Sequence, residues 1–227
     1  MNQRREPLPA VGLATLVAML TALYLALLWA PQEITMGPVQ RIFYFHVAAA
    51  ATAFLAFGVV FVCSIAYLRT GARQWDRMAY AAAEIGVLFT TAVLITGPLW
   101  ARPVWNVWWT WDPRLTTTLV LWFLYIGYLF IRASAGSSEK EARLSAAFGI
   151  LAFLDVPIVF FSARWWRSIH PTVIQAGKIN MEPAMTLAML AAIGAFALLF
   201  IYLLMQRVRL EKSRDEVEAI RNQLIGG

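Results

Sequence analysis

The sequence predicts an all-α integral membrane protein of six transmembrane helices, and three observations carry that reading. Of its 227 residues 60% are hydrophobic and only 14% charged, about half the charged share of a soluble globular domain. Three stretches hold no Asp, Glu, Lys or Arg and each exceeds the roughly 20 apolar residues that cross a bilayer as a helix. The Lys and Arg residues, finally, gather on alternate connections.

Pro7–Gln32 carries no charge and gives the first helix, at about residues 10–30. Arg4 and Arg5 precede it in the manner of a signal peptide, but the run is too long and no small-x-small cleavage site follows. It is expected to be retained. Ile42–Leu68, uncharged apart from the titratable His46, gives the second helix at about 43–68. Met78–Ala101 holds Glu84 and gives the third, about 78–98. Leu115–Ile131 is near the lower length limit and flanked by charge; it gives the fourth, about 115–132. Leu144–Ala163, with Asp155, gives the fifth at about 144–162, and uncharged Pro183–Gln206 the sixth at about 183–206. Too little chain remains for a second domain, so residues 1–227 read as one membrane domain. Residues 98–115 form an external loop and 207–227 a charged tail, whose Leu210, Val217, Ile220 and Leu224 suit an amphipathic helix continuing the sixth.

Six crossings place both termini on one side. The N-terminus, residues 69–77, residues 132–143 and the tail from Arg207 hold 13 of the 19 Lys and Arg. The positive-inside rule therefore puts both termini in the cytoplasm. The opposite connections hold Arg41, Arg102, Arg114, Arg164, Arg167 and Lys178. The net charge of +6 thus reflects topology and requires no nucleic-acid partner. The lone Cys63 forms no disulfide framework and no Cys-x-x-Cys-His site. No GxxxxGK[ST] loop occurs, so ATP hydrolysis by this chain is not expected. Glu84 and Asp155 are costly inside a membrane; each is either functional or satisfied by an interhelical hydrogen bond.

Gly97–Arg114 reads GPLWARPVWNVWWTWDPR and holds five of the ten tryptophans: Trp100, Trp105, Trp108, Trp109 and Trp111. With Trp29, Trp165 and Trp166 they put eight at outer helix ends, against Trp75 inside and Trp122 within helix four. An interfacial belt populates both faces of a membrane, so a platform for a flat apolar ligand is the better reading, with the belt as the alternative. If the stretch is helical, Trp105, Trp108, Trp109 and Asp112 share one face.

The chain's only two histidines, His46 and His170, fall on the same outer side as that loop. Neutral imidazole is a common metal ligand, and haem iron is held axially by protein side chains. Two imidazoles from different connections could ligate iron from opposite faces of a porphyrin. Tryptophans would cover its edges, and Arg114, Arg102 and Arg167 could pair with its propionates. A zinc site would want three or four ligands, which nothing nearby supplies.

The run Trp108-Trp-Thr-Trp-Asp-Pro-Arg-Leu-Thr-Thr117 resembles the "WWD" signature of the haem-handling proteins of cytochrome c maturation. Thr96-Gly-Pro-Leu-Trp100, Trp165-Trp-Arg-Ser-Ile-His170 and the six-helix form resemble the haem exporter protein C branch (CcmC), over essentially the whole chain. Relatives of the longer synthetase branch carry more helices and histidines. The resemblance implies that His46 and His170 are the axial ligands of a non-covalent haem b. It implies a platform of Trp100, Trp105, Trp108, Trp109 and Trp111, with Asp112 orienting the loop or an incoming chaperone. It places the site, with Arg114 beside it, at the periplasmic face of the bacterial inner membrane, surrounded by lipid. Haem would pass to a periplasmic haem chaperone (CcmE), within an ABC-type complex of CcmA, CcmB and CcmD whose ATPase lies in another subunit. This chain would then be no enzyme itself. Two rivals stand beside that reading: a b-type haem redox protein, and a secondary transporter using Glu84 and Asp155.

Overall fold

The computed structural model describes residues 8–134, 139–166, 168, 170, 174–175, 178–179 and 181–225. Arg4, Arg5 and Arg167 lie outside the described residues. Six helices are long and apolar enough to cross a membrane. Helix α1 (Leu8–Tyr24) runs on through a π turn at Leu25–Trp29. It stops at Ala30, which is extended (ψ 135°) because Pro31 follows. A short 3-10 turn, Pro38–Gln40, leads into α2 (Arg41–Thr70). Gly71, at φ 68°, caps that helix by donating its N–H to the Tyr67 carbonyl at 2.8 Å.

Helix α3 spans Arg73–Trp105 and α4 spans Pro113–Ser134. The segment between α3 and α4 is therefore residues 106–112, shorter than the 98–115 read from the sequence. Pro98 and Pro103 sit inside α3, yet the helix continues past both to Asn106, whose left-handed φ of 58° ends it. Trp100 and Trp105 are thus helical residues. The stretch from Trp108 to Asp112 is not helical, so the shared helical face does not form. The fifth crossing is broken in two, α5 (Glu139–Phe153) and α6 (Asp155–Trp165). Pro157 has no N–H for the Phe153 carbonyl, which explains a break at Leu154. A two-residue antiparallel ladder, Ile174–Gln175 with Lys178–Ile179, is a small departure from an all-α chain. Helix α7 runs unbroken from Pro183 to Ile225, so the charged tail from Arg207 continues the last membrane helix.

Small residues let the helices approach closely. Ala49, Ala53 and Ala56 of α2 are buried with Ala79, Ala82 and Ala83 of α3. Ala22, Ala26 and Ala30 bury likewise with Ala188, Ala192 and Ala195 of α7. At the centre Phe57 stacks on Tyr125, ring centres 3.6 Å apart, and a Cβ added at Gly86 would stand 2.4 Å from the Phe57 ring. Because Phe57 has nowhere to retreat, Gly86→Ala is expected to lower stability by about 1–3 kcal/mol. Earlier thermal unfolding in detergent would show it; an unchanged midpoint would contradict this packing.

Ion pairs tie the helices at the end remote from the tryptophan-rich segment. Asp76 meets Arg132 at 2.7 Å, Arg77 meets Asp215 at 2.9 Å, and Arg207 donates to Glu84 at 2.8 Å and Glu211 at 2.7 Å. Glu84 thus takes the satisfied interhelical role, pairing α3 with α7. Asp155 is buried at the α5–α6 break, and its Oδ2 has no hydrogen-bond partner among the described residues.

Candidate functional site

A cavity of about 350 Å³ lies among α2, α3, α4 and α6, and it is lined mainly by apolar side chains. Its polar and aromatic lining includes His46, His170, Trp100, Trp105, Trp109, Arg114 and Arg164. The fold thus brings together both histidines and three of the five loop tryptophans, from four separate segments.

His46 sits in the second turn of α2, buried, with its Nδ1 2.8 Å from the Thr96 hydroxyl of α3. Gly97, beside Thr96, brings the α3 backbone close to the imidazole; a Cβ there would stand 3.4 Å from Cε1. The His170 ring centre lies 6.4 Å from that of His46. Two imidazoles sharing one metal ion need about 2 Å from metal to nitrogen on each side, plus about 1 Å from nitrogen to ring centre. The observed separation fits that sum.

Trp100 is almost wholly buried on α3, packed edge-on against Trp105 at 5.1 Å and against His170 at 6.3 Å. Trp105 lies 6.5 Å from His170. Trp109 meets Trp111 edge-on at 5.9 Å, and only Trp109 of that pair lines the cavity. Trp108 and Trp111 are outside it, 57% and 75% exposed. The platform therefore divides into an inner set, Trp100, Trp105 and Trp109, and an outward-facing pair.

Asp112 is buried at the start of α4 and works as an N-cap: its Oδ1 accepts the Arg114 backbone N–H at 2.9 Å. The same oxygen accepts the Ser168 hydroxyl at 3.0 Å, and Ser168 Oγ accepts the His170 backbone N–H at 3.0 Å. Asp112 thus anchors the His170 segment to the end of α4. Arg114 donates through Nη2 to the Phe160 carbonyl at 2.8 Å, while its buried Nε has no acceptor among the described residues. Arg114 also lines the cavity, where its fixed positive charge suits an anionic ligand edge.

One sequence expectation changes here. Arg102 does not line the cavity; it donates to the Asn106 carbonyl at 2.8 Å and to its side chain, and lies over the Trp108 ring at 5.9 Å. Arg164 lines the cavity instead, with its guanidinium over Phe160 and Phe161. Sequence reasoning also passed over Thr96 and Ser168. Thr96 was legible, one helical turn before Trp100 on the same face.

Burial pushes the His170 imidazole down to about 4; Arg114 and then His46 push the same way, and Asp112 opposes them. At pH 7 the ring is neutral, the form that binds metal. Its folded value lies below the unfolded one, so acidification below about pH 6.5 destabilises the fold. NMR of labelled histidine in the ligand-free protein should find this ring still neutral near about pH 5.5, where a free imidazole is mostly protonated. A midpoint near the ordinary value would contradict the buried placement.

A family model described as "CcmC: Heme exporter protein C" matches residues 1–223. The chain is 32% identical to a heme exporter protein C of Bradyrhizobium diazoefficiens, covering 94% of this chain and 82% of that one. It is 29% identical to the protein of that name from Haemophilus influenzae, over 92% and 86% of the two chains. With the Escherichia coli protein of the same name identity is 28%, over 94% and 89%. A match across nearly the whole chain, including both histidine segments and the tryptophan loop, places this protein in the heme exporter protein C family.

Proposed function

We propose that this protein binds haem b non-covalently in the cavity and hands it to a periplasmic haem chaperone during cytochrome c maturation. The single observation that carries the reading is the convergence of the chain's only two imidazoles, ring centres 6.4 Å apart, on one cavity walled by tryptophan. His46 and His170 serve as axial ligands. Trp100, Trp105 and Trp109 cover the apolar faces and edges, and Arg114 and Arg164 meet the propionates. The exposed Trp108 and Trp111 form the surface presented to the chaperone, CcmE. Haem supplies the iron that the two imidazoles hold; the chain supplies position, apolar cover and countercharge.

The histidine end of the bundle faces the periplasm and the ion-paired end, with both termini, faces the cytoplasm of a bacterial inner membrane. The distribution of Lys and Arg supports that orientation. In this reading the chain is a haem-handling component, not an enzyme, of an ABC-type complex with CcmA, CcmB and CcmD. Two histidines in all make one bis-histidine site, without the second haem a transmembrane electron path would use.

The orientation and the transfer are tested together. In a Cys63→Ser background, Trp111→Cys should react with a membrane-impermeant maleimide in spheroplasts and not in inverted vesicles. Cells carrying His46→Ala or His170→Ala should accumulate chaperone without covalent haem. Labelling only from inverted vesicles, or normal chaperone loading in both variants, would overturn the proposal.

A further inference from the structure

We propose that Thr96 is a positioning residue that sets the tautomer of His46, making His46 the retained haem ligand and His170 the exchangeable one. The proposal rests on the reading of both histidines as axial ligands. The Thr96 hydroxyl stands 2.8 Å from His46 Nδ1 and 2.7 Å from the Ala92 carbonyl oxygen one turn back. A hydroxyl has one hydrogen to donate, and a carbonyl only accepts. With that hydrogen on Ala92, the hydroxyl oxygen accepts from His46, so Nδ1 carries the imidazole proton. Nε2 then keeps its lone pair for a metal.

The second histidine is held differently. His170 Nδ1 is buried but has no hydrogen-bond partner among the described residues. Its backbone is tied through Ser168, in a connection between helices. His46 stands on a membrane helix instead, with its remote nitrogen bonded to the neighbouring helix. A hydrogen bond to the remote nitrogen fixes the ring and raises its donor strength, and losing such a partner typically costs 10–100-fold in metal affinity. The iron bond to His46 is therefore the stronger. A donor arriving from outside displaces His170 first, and the haem leaves from its one remaining attachment on α2.

The test uses the full-length purified chain in detergent, haem-free and haem-loaded. Nitrogen NMR of the haem-free protein should find His46 protonated at Nδ1; an Nε2-protonated ring would overturn the proposal. Thr96→Val, close in shape, should bind haem 10–100-fold more weakly. Its haem should also reduce more easily, since the ferric form depends more on a strong donor. A tenfold loss in ferric over ferrous preference is about 59 mV. Thr96→Ser should restore both quantities, and restoration failing there would show packing instead of the hydroxyl at work. His170→Ala should retain haem through gel filtration better than His46→Ala; the reverse order would overturn the assignment of the retained ligand. If His46→Ala leaves the low-spin spectrum intact, the ligand reading itself fails. If it abolishes that spectrum while Thr96→Val matches the parent in affinity and potential, only the role of Thr96 fails.

Discussion

Haem-loaded His46→Ala and His170→Ala proteins are each expected to lose the low-spin absorption spectrum and to bind haem roughly a hundredfold more weakly or worse. The reason is geometric. The two ring centres lie 6.4 Å apart and both rings line one cavity, so in the proposed site each imidazole would take one side of a single iron position. Removing either leaves a five-coordinate, high-spin iron, with no other His in the chain to replace it. Added imidazole should return the low-spin spectrum by filling the vacated side. Trp111→Ala is the control, since Trp111 lies outside the cavity and is 75% exposed. It should leave haem affinity within a few-fold of the parent while impairing chaperone loading. Visible titrations of the purified proteins measure the spectra and affinities, covalent haem on the chaperone in cells measures the loading, and an unaltered low-spin spectrum in either histidine variant would remove that residue from the site.

Asp112→Ala is expected to be the most damaging change outside the ligands. One buried oxygen of Asp112 accepts both the Arg114 N–H and the Ser168 hydroxyl, and Ser168 in turn holds the His170 backbone. The lost helix cap alone costs about 1 kcal/mol. The unpaired Ser168 adds to that, and the His170 segment loses its anchor on α4. We expect thermal unfolding several degrees earlier, together with at least a tenfold loss of haem affinity. Asp112→Asn keeps one acceptor oxygen and should fall between. A variant that loses stability but keeps full haem affinity would show that His170 is placed without Asp112.

The crossings were legible because bilayer physics writes them as long uncharged runs, and each predicted span has a helix in the structure. Boundaries were less so. The third helix was read as ending near residue 98, but it continues past Pro98 and Pro103, since a membrane helix tolerates proline where neighbours satisfy the freed carbonyls. The helix therefore continues to Trp105 and carries Trp100 into the bundle. The break at Leu154 had its signal in Pro157, three residues on. Among the arginines, sequence could say which end of the bundle each occupies but not which way it turns. Arg102 bends back onto Asn106, and Arg164 lines the cavity. Glu84 shows the same limit: its partner, Arg207, is 123 residues away and sits on the part of α7 that the sequence marked as a tail.

The most direct test of the central claim is near-infrared magnetic circular dichroism of the ferric haem-loaded protein, which identifies both axial donor atoms at once. Two imidazole nitrogens on a low-spin iron, with the signal lost in His46→Ala and in His170→Ala alike, is the predicted result. A sulfur or oxygen ligand, or a high-spin iron in the parent protein, would contradict a haem held between these two histidines.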